Sequence, residues 1–437
     1  MTEEKINNQK NHIFSTRLIK NSFYTGLALA FVGITPFTFN FLVARTFGKE
    51  TLGSINLILS FCLFITIFIT NFFGSAGNKY LAEYRGSKDH HKFIFVFKIM
   101  FLGPMLFLSI ISIFIYYNWN YLIIKFSFDT TIILTIILYI FFRSYYIIIR
   151  RALYGMDLVK PYAINEIITN IIMLILLLYF CHMRQYESLI SCYIISYLTF
   201  LIIGIFIFFR NYNPLKNSMA ISKTVEKKEV LTRFNNYGIV SMVGTVASTG
   251  TGYISMIIIG IYLNHADAGI YSSVLSVISI LMFIPKLFTQ VFLPEFSKLF
   301  GEGQKEKITI IFNRAVWYMS FIATILCITV YILSDTILSV FGKDFINGSM
   351  ILHILLPTVF IRIVSIPFVS FLSGTKYILY PNMGGVIIFL LSLGSWLILV
   401  PEFRLLGIAI GYTIGNISGI SYQIIMAILK IRKFKYQ

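Results

Sequence analysis

The sequence predicts an all-α polytopic membrane protein of twelve transmembrane helices arranged as two six-helix halves. Three observations predict it. Apolar runs of membrane length recur along nearly the whole chain, the polar breaks between them carry Lys and Arg mostly on alternate sides, and landmarks of the first half return in the second after 215 to 219 residues. Of 437 residues, 57% are hydrophobic and 12% charged, with a mean hydropathy of +0.81. Almost every residue therefore falls in a span or a short turn, which leaves no soluble domain of useful size.

A hydrocarbon core about 30 Å thick needs about 20 apolar residues per helix. The first span, residues 23–43, follows a polar segment carrying Lys5, Lys10, Arg17 and Lys20. That segment is too long for a signal-peptide n-region and no small-residue cleavage site follows, so the span is expected to be retained. Residues 55–73 and 93–117 form the next two spans, joined by a turn with Gly86 and Lys92. The fourth, 130–149, ends at Arg150 and Arg151, and the fifth, 161–180, opens on Pro161. After the sixth, 188–209, the longest break carries Lys216, Lys223, Lys227, Lys228 and Arg233 and is read as a cytoplasmic linker. The expected organisation is a half at 1–209, the linker at 210–238 and a half at 239–437. Spans seven to twelve fall at 239–262, 270–293, 315–333, 350–371, 381–400 and 406–429. Pro36, Pro104, Pro285, Pro357 and Pro367 lie inside spans, where each removes a backbone hydrogen bond and favours a kink.

Orientation follows from charge, because basic residues near span ends stay on the cytoplasmic side. The N-terminus, the even-numbered breaks and the C-terminal tail hold 26 of the Lys and Arg residues; the odd-numbered breaks hold six. Both termini are therefore expected in the cytoplasm. The formal net charge of +18 is spread over cytoplasmic turns with no compact basic domain. It fits anionic membrane lipids, at about 1 kcal/mol per basic residue near the surface, and not nucleic acid. Cys62, Cys181, Cys192 and Cys327 are spaced like neither a zinc site nor a disulfide framework, and no cofactor or metal is expected.

The internal match runs through three places. Gly86-Ser-Lys-Asp-His-His-Lys92 answers Gly301-Glu-Gly-Gln-Lys-Glu-Lys307, and Gly53-Ser-Ile-Asn answers Gly269-Ile-Tyr-Ser. Arg143 precedes Gly155 by the interval that separates Arg362 from Gly374, with Pro161 and Pro381 following. Because six is even, both halves enter from the same side, as parallel repeats about an axis along the membrane normal.

Four basic residues, Lys98, Arg143, Lys286 and Arg362, fall inside spans, and no acidic residue is expected deep. An ionisable group at mid-span costs about 2.5 to 3.5 kcal/mol on translocon scales, so each is a functional candidate. Lys98 is six residues past Lys92 and can snorkel to the headgroups. Arg143 is about 10 Å from the cytoplasmic end, with Glu166 at similar depth on the next span; an ion pair and a ligand role both remain open. Arg362 and Lys286 lack an evident acidic partner and are expected to face water or an anionic ligand. Arg45, at the outer end of the first span, reads as an interfacial anchor or an attractor of anions at the mouth. Tyr145, Tyr146 and Tyr154 are read as an interfacial belt.

Leu18-Ile-Lys-Asn-Ser-Phe23, Phe41-Leu-Val-Ala-Arg-Thr-Phe-Gly-Lys-Glu-Thr-Leu-Gly53 and Asn71-Phe-Phe-Gly-Ser-Ala-Gly-Asn-Lys-Tyr-Leu-Ala-Glu83 resemble the oligosaccharide flippases of the polysaccharide-export branch of the multidrug/oligosaccharidyl-lipid/polysaccharide exporter superfamily. Gly269-Ile-Tyr-Ser and Phe283-Ile-Pro-Lys-Leu-Phe-Thr-Gln-Val-Phe-Leu-Pro-Glu295 look like that family's eighth helix and its exit turn. The resemblance implies a bundle like that of the MATE exporters. It also implies a carrier, not an enzyme, that moves an undecaprenyl-pyrophosphate-linked oligosaccharide across a bacterial or archaeal cytoplasmic membrane, as in O-antigen and lipopolysaccharide assembly, with a polysaccharide polymerase as a candidate partner. A pyrophosphate suits arginine, which offers two parallel hydrogen bonds, and lysine, which supplies a point charge. Arg362, Lys286, Arg143, Lys98 and Arg45 are the substrate-binding candidates. The seventh span, Thr249-Gly-Thr-Gly-Tyr-Ile-Ser255, lacks the acid carried there by some relatives, which leaves the coupling ion open.

A cation exporter of the same superfamily would need a membrane-embedded carboxylate. A membrane glycosyltransferase or polymerase would need a sizeable outer loop and acidic catalytic groups. The expected outer breaks are short turns, and no Gly-rich phosphate loop, His-Glu-x-x-His or catalytic triad is present.

Overall fold

The computed structural model describes the backbone of residues 3–126, 129–217, 227–302, 304–375 and 377–436. Side chains are described for residues 24–126, 129–212, 227–302 and 304–432, apart from Lys286, Gln290 and Lys376. All regular structure among these residues is helical: α1 Glu3–Ile69, α2 Ala76–Gly86, α3 His90–Tyr117, α4 Trp119–Phe126, α5 Ile133–Gly155, α6 Val159–His182 and α7 Leu189–Asn217 precede the linker. After it come α8 Lys227–Thr245, α9 Thr251–Tyr262, α10 His265–Leu281, α11 Phe283–Gly301, α12 Lys305–Ile332, α13 Ser334–Ser339, α14 Ser349–Val364, α15 Ile366–Gly374 and α16 Leu379–Tyr436.

Among the described residues ten helical stretches are long and apolar enough to cross a bilayer, and two of these, Tyr24–Gly86 with 63 residues and Leu379–Arg432 with 54, are long enough for two crossings each. Asn56 Nδ2 donates to Asn40 Oδ1 at 3.0 Å within the first. On a straight helix those residues would stand about 24 Å apart, so α1 doubles back. It does so at Gly48, whose φ of 85° suits a residue without Cβ. Trp396 Nε1 likewise donates to Ile408 O at 2.9 Å, where a straight helix would separate them by about 18 Å. The reversal is at Arg404, with φ 50° and its guanidinium 3.7 Å from Asp267. Twelve crossings result.

The last hairpin closes through small residues. Gly407, Gly411, Gly415 and Gly419 repeat every four residues on one face, and a Cβ at Gly415 would lie 2.1 Å from Ser392 Oγ. Such a face lets backbones approach where lipid supplies no hydrophobic drive. Proline breaks two other spans: the helix stops at Met282, three residues before Pro285, and at Ser365, two before Pro367. The second span passes through a π-helical turn, Thr70–Ser75, which Arg151 of α5 secures. Arg151 donates to Thr70 O at 2.7 Å, Ser75 Oγ at 2.6 Å and Asn71 Oδ1 at 2.7 Å, so the carbonyl freed by the bulge has a partner.

The two halves meet through a reciprocal crossing. A Cβ at Gly53 would lie 1.8 Å from His265 O, and a Cβ at Gly269 1.9 Å from Lys49 O. Each glycine thus faces the carbonyl four residues before the other, as a two-fold relation requires. One continuous core joins the halves here and runs on to the opposite end, where Phe234 of α8 packs on Phe72 and Phe73 of the second span; at that end Phe296, Phe312, Phe368 and Phe371 of the second half also form a core of their own.

Candidate functional site

Between the halves lies a cavity of about 470 Å³ walled by α1, α5, α6 and α7 of the first half together with α9 and α10. Tyr139, Arg143 and Tyr146 face it from α5 at helical spacing, and Tyr193 and Tyr197 face it from α7, four residues apart. Among the described lining residues Arg143 carries the only charge, and none is acidic. Its Nη1 donates to Tyr197 Oη at 3.0 Å, and its guanidinium carbon stands 5.1 Å from the ring centroids of both Tyr146 and Tyr197. Those rings stack on each other at 4.7 Å. The guanidinium is therefore held by faces and one hydroxyl, and most of its five donors stay available to an anion.

Behind this cage sits Glu166, fully buried on α6, with Oε1 accepting from the Tyr146 hydroxyl. The expectation that no acid lies deep is corrected here: Glu166 is buried beside the cavity. The ion pair that remained open with Arg143 is not formed; the Tyr146 phenol stands between the two groups. Across the cavity Asn56 donates to Asn40, and Asn40 Nδ2 to Ser276 Oγ at 2.7 Å, which ties the halves by an amide ladder.

The other candidates lie elsewhere. Arg362, expected without a partner, has one: Nε and Nη2 both donate to Asn416 Oδ1, at 3.0 and 2.5 Å. Its mid-span place is also the last turn of α14, since the span breaks at Ser365, and a helix C-terminus favours a cation. It lies outside the lining of the cavity. Lys98 is exposed on α3, on the face that bears Leu102, Met105 and Leu106. Arg45 is exposed three residues before the Gly48 turn. The Lys286 backbone lies in α11, and its side chain falls outside the described residues. The interfacial-belt reading is also corrected. Tyr145 and Tyr146 are buried, Tyr145 donates to Phe101 O and Tyr154 to Thr25 Oγ1, because this face of α5 turns into the bundle.

Sequence reasoning missed Tyr139, Tyr197, Asn40 and Asn56. The available signal was the spacing of Tyr139, Arg143 and Tyr146, and a relation between halves: Arg143 bonds Tyr197 and Arg362 bonds Asn416 across the same interval of 54 residues.

Twelve crossings in two matched halves around a polar, cationic cavity define a multi-pass membrane protein of the transporter kind. The profile of the polysaccharide biosynthesis protein family matches residues 18–300, and that of the MatE family residues 241–395. The chain belongs to the polysaccharide biosynthesis protein family, within the multidrug/oligosaccharidyl-lipid/polysaccharide superfamily. Among solved structures it is similar to an inward-facing multidrug resistance MATE family transporter, with a TM-score of 0.75 at 13% identity over 92% of this chain and 96% of that one. It is also similar to the lipid II flippase MurJ in an inward closed conformation, with a TM-score of 0.70 at 18% identity over 94% and 89%. A superfamily transporter from Pyrococcus furiosus, described as having a binding pocket of reverse polarity, gives 0.66 at 14% identity over 95% and 96%. At such identities the likeness is one of fold. No curated protein matches the chain at a significant level.

Proposed function

We propose that the protein is a flippase that carries a polyprenyl-pyrophosphate-linked oligosaccharide, of the undecaprenyl type, across the cytoplasmic membrane for surface polysaccharide biosynthesis. The observation that carries the reading is the cavity wall, in which one arginine stands among tyrosines and amides with no carboxylate among the described lining residues. A dense anion gains there from charge-assisted hydrogen bonds, sugars find aromatic faces and amides, and a cationic drug meets a like charge. Family membership supports the same reading.

In this reading Arg143 takes the pyrophosphate and Arg362 stands at the corresponding place in the second half. The halves rock against each other, so that the cavity opens first to one side and then to the other, the Gly53–Gly269 crossing parting when the outer end opens. With both termini cytoplasmic, the crossing closes the outer end. The test is a deletion strain: lipid-linked oligosaccharide should accumulate on the cytoplasmic face and be cleared by the restored gene. Purified protein in vesicles should move a fluorescent polyprenyl-pyrophosphate glycan between leaflets. Failure to move it, with transport of cationic dyes instead, would overturn the reading in favour of a drug exporter.

A further inference from the structure

Asn40, Asn56 and Ser276 all line the central cavity, and they belong to one chain of hydrogen bonds that passes from the first half into the second. Asn56 Nδ2 donates to Leu52 O and to Asn40 Oδ1, both at 3.0 Å; Asn40 Nδ2 donates to Ser276 Oγ at 2.7 Å, and Ser276 Oγ to Ser272 O at 2.7 Å. Each link polarises the next. Both ends of the chain are fixed beside the crossing of the halves: Leu52 adjoins Gly53, and Ser272 lies one turn beyond Gly269. Among the described residues the Asn40–Ser276 bond is the side-chain hydrogen bond that joins the halves on the cavity wall. The outer end opens only when it breaks.

The chain is not saturated on its cavity side. Asn56 commits its amide nitrogen to two acceptors and keeps Oδ1 as an open acceptor, while Asn40 keeps one N–H of its two. A donor and an acceptor on neighbouring amides suit a group that does both. A sugar hydroxyl is such a group; a pyrophosphate oxygen only accepts, and leaves Asn56 Oδ1 unanswered. Opening takes Ser276 away from Asn40, and a bound sugar can replace it, accepting from Asn40 while donating to Asn56. Water offers the same bonds, at an entropic cost for each molecule held. A glycan anchored through its pyrophosphate on Arg143 brings its hydroxyls as part of one ligand.

We propose that Asn40, with Asn56 and Ser276, makes the protein selective for the glycosylated form of its lipid: the amides bind sugar hydroxyls, and the Asn40–Ser276 bond holds the outer end shut until a sugar takes the place of Ser276. Bare polyprenyl pyrophosphate, which satisfies Arg143 alone, is then left behind. The inference rests on the flippase reading and adds to it a means of sensing the sugar.

Two measurements test it. In vesicles, wild-type protein should move a C55 pyrophosphate glycan at least about tenfold faster than bare C55 pyrophosphate, because a site built to hydrogen-bond a hydroxyl rejects a ligand that lacks it. Ser276→Ala removes the bond between the halves and keeps both amides, so the bare lipid should rise toward the rate of the glycan lipid. Asn40→Ala removes the same bond from the other side and should also lose the preference, with the glycan lipid slowed as well; folded protein is measured for both. The second measurement follows the outer end directly. Lys49 and Asp344 stand there on opposite halves, with charged atoms 4.0 Å apart, and Cys327 is the part-exposed native thiol, the other three being buried. Spin labels at Lys49→Cys and Asp344→Cys in a Cys327→Ser background should separate on addition of the glycan lipid and not of the bare lipid. With Ser276→Ala added, the bare lipid should separate them too. Equal rates for the two lipids in the wild type, or a dependence on the sugar that survives in Ser276→Ala and Asn40→Ala, would overturn the proposal while leaving the flippase reading intact. A wild type that moves neither lipid would overturn both.

Discussion

Replacing Arg143 by Gln removes the single charge on the described wall of the central cavity and leaves a side chain of similar reach. In the structure Arg143 spends one N–H on Tyr197 and is braced by two tyrosine rings, so little of its donor capacity is committed before substrate arrives. A hydrogen bond to a charged group is worth about 1.5 to 3 kcal/mol, which corresponds to roughly a ten- to hundredfold loss of affinity for the pyrophosphate. Arg143→Lys keeps the charge but not the planar fork, and should fall between wild type and Gln. Tyr197→Phe keeps the ring and loses the hydroxyl; the neutral-donor scale of about 1 kcal/mol predicts a fall of about fivefold. The assay is leaflet exchange of a fluorescent polyprenyl-pyrophosphate glycan in vesicles, with the amount of folded protein measured alongside. Wild-type exchange by well-folded Arg143→Gln would refute the cationic-cavity mechanism.

Asn416→Ala should lower thermal stability by about 1.5 to 3 kcal/mol, since it strips the acceptor from a part-buried arginine; an unchanged unfolding temperature would show that the pair is dispensable. Gly53→Val should abolish folded protein or transport, because even a Cβ would lie 1.8 Å from His265 O, and normal levels and activity would contradict the close crossing. Joining Lys49→Cys to Asp344→Cys, residues of opposite halves whose charged atoms stand 4.0 Å apart, with a short bifunctional thiol reagent should arrest transport; native speed in the joined protein would reject alternating access. Reporter fusions at Asn217 and Gln437 should both report cytoplasm, and an external signal from either would reverse the orientation.

Much of the fold was legible because lipid imposes blunt rules. Span length, the prolines just after the breaks at Met282 and Ser365, and the glycines at the crossing all show in one dimension. The site was less legible, because it depends on which face of each helix turns inward. For Arg362 the sequence offers no acid at matching depth on the next span, and its partner is a neutral amide two spans on, which charge pairing does not reveal. Glu166 looked shallow by residue count, yet its helix face is interior. The tyrosines of α5 carried the composition of an interfacial belt, and only the packing of α7 against α5 distinguishes a belt from a cage.

The Gly53–Gly269 contact also bears on how such a chain can be assembled. Under a two-fold axis it is self-complementary, each glycine answering a carbonyl four residues ahead of its counterpart. Two identical six-helix chains inserted in the same orientation would meet through this same contact. An even number of crossings returns each copy to its starting side, so end-to-end fusion needs only a tether. Once fused, the copies are free to diverge, so that one keeps a tyrosine beside its arginine and the other an asparagine.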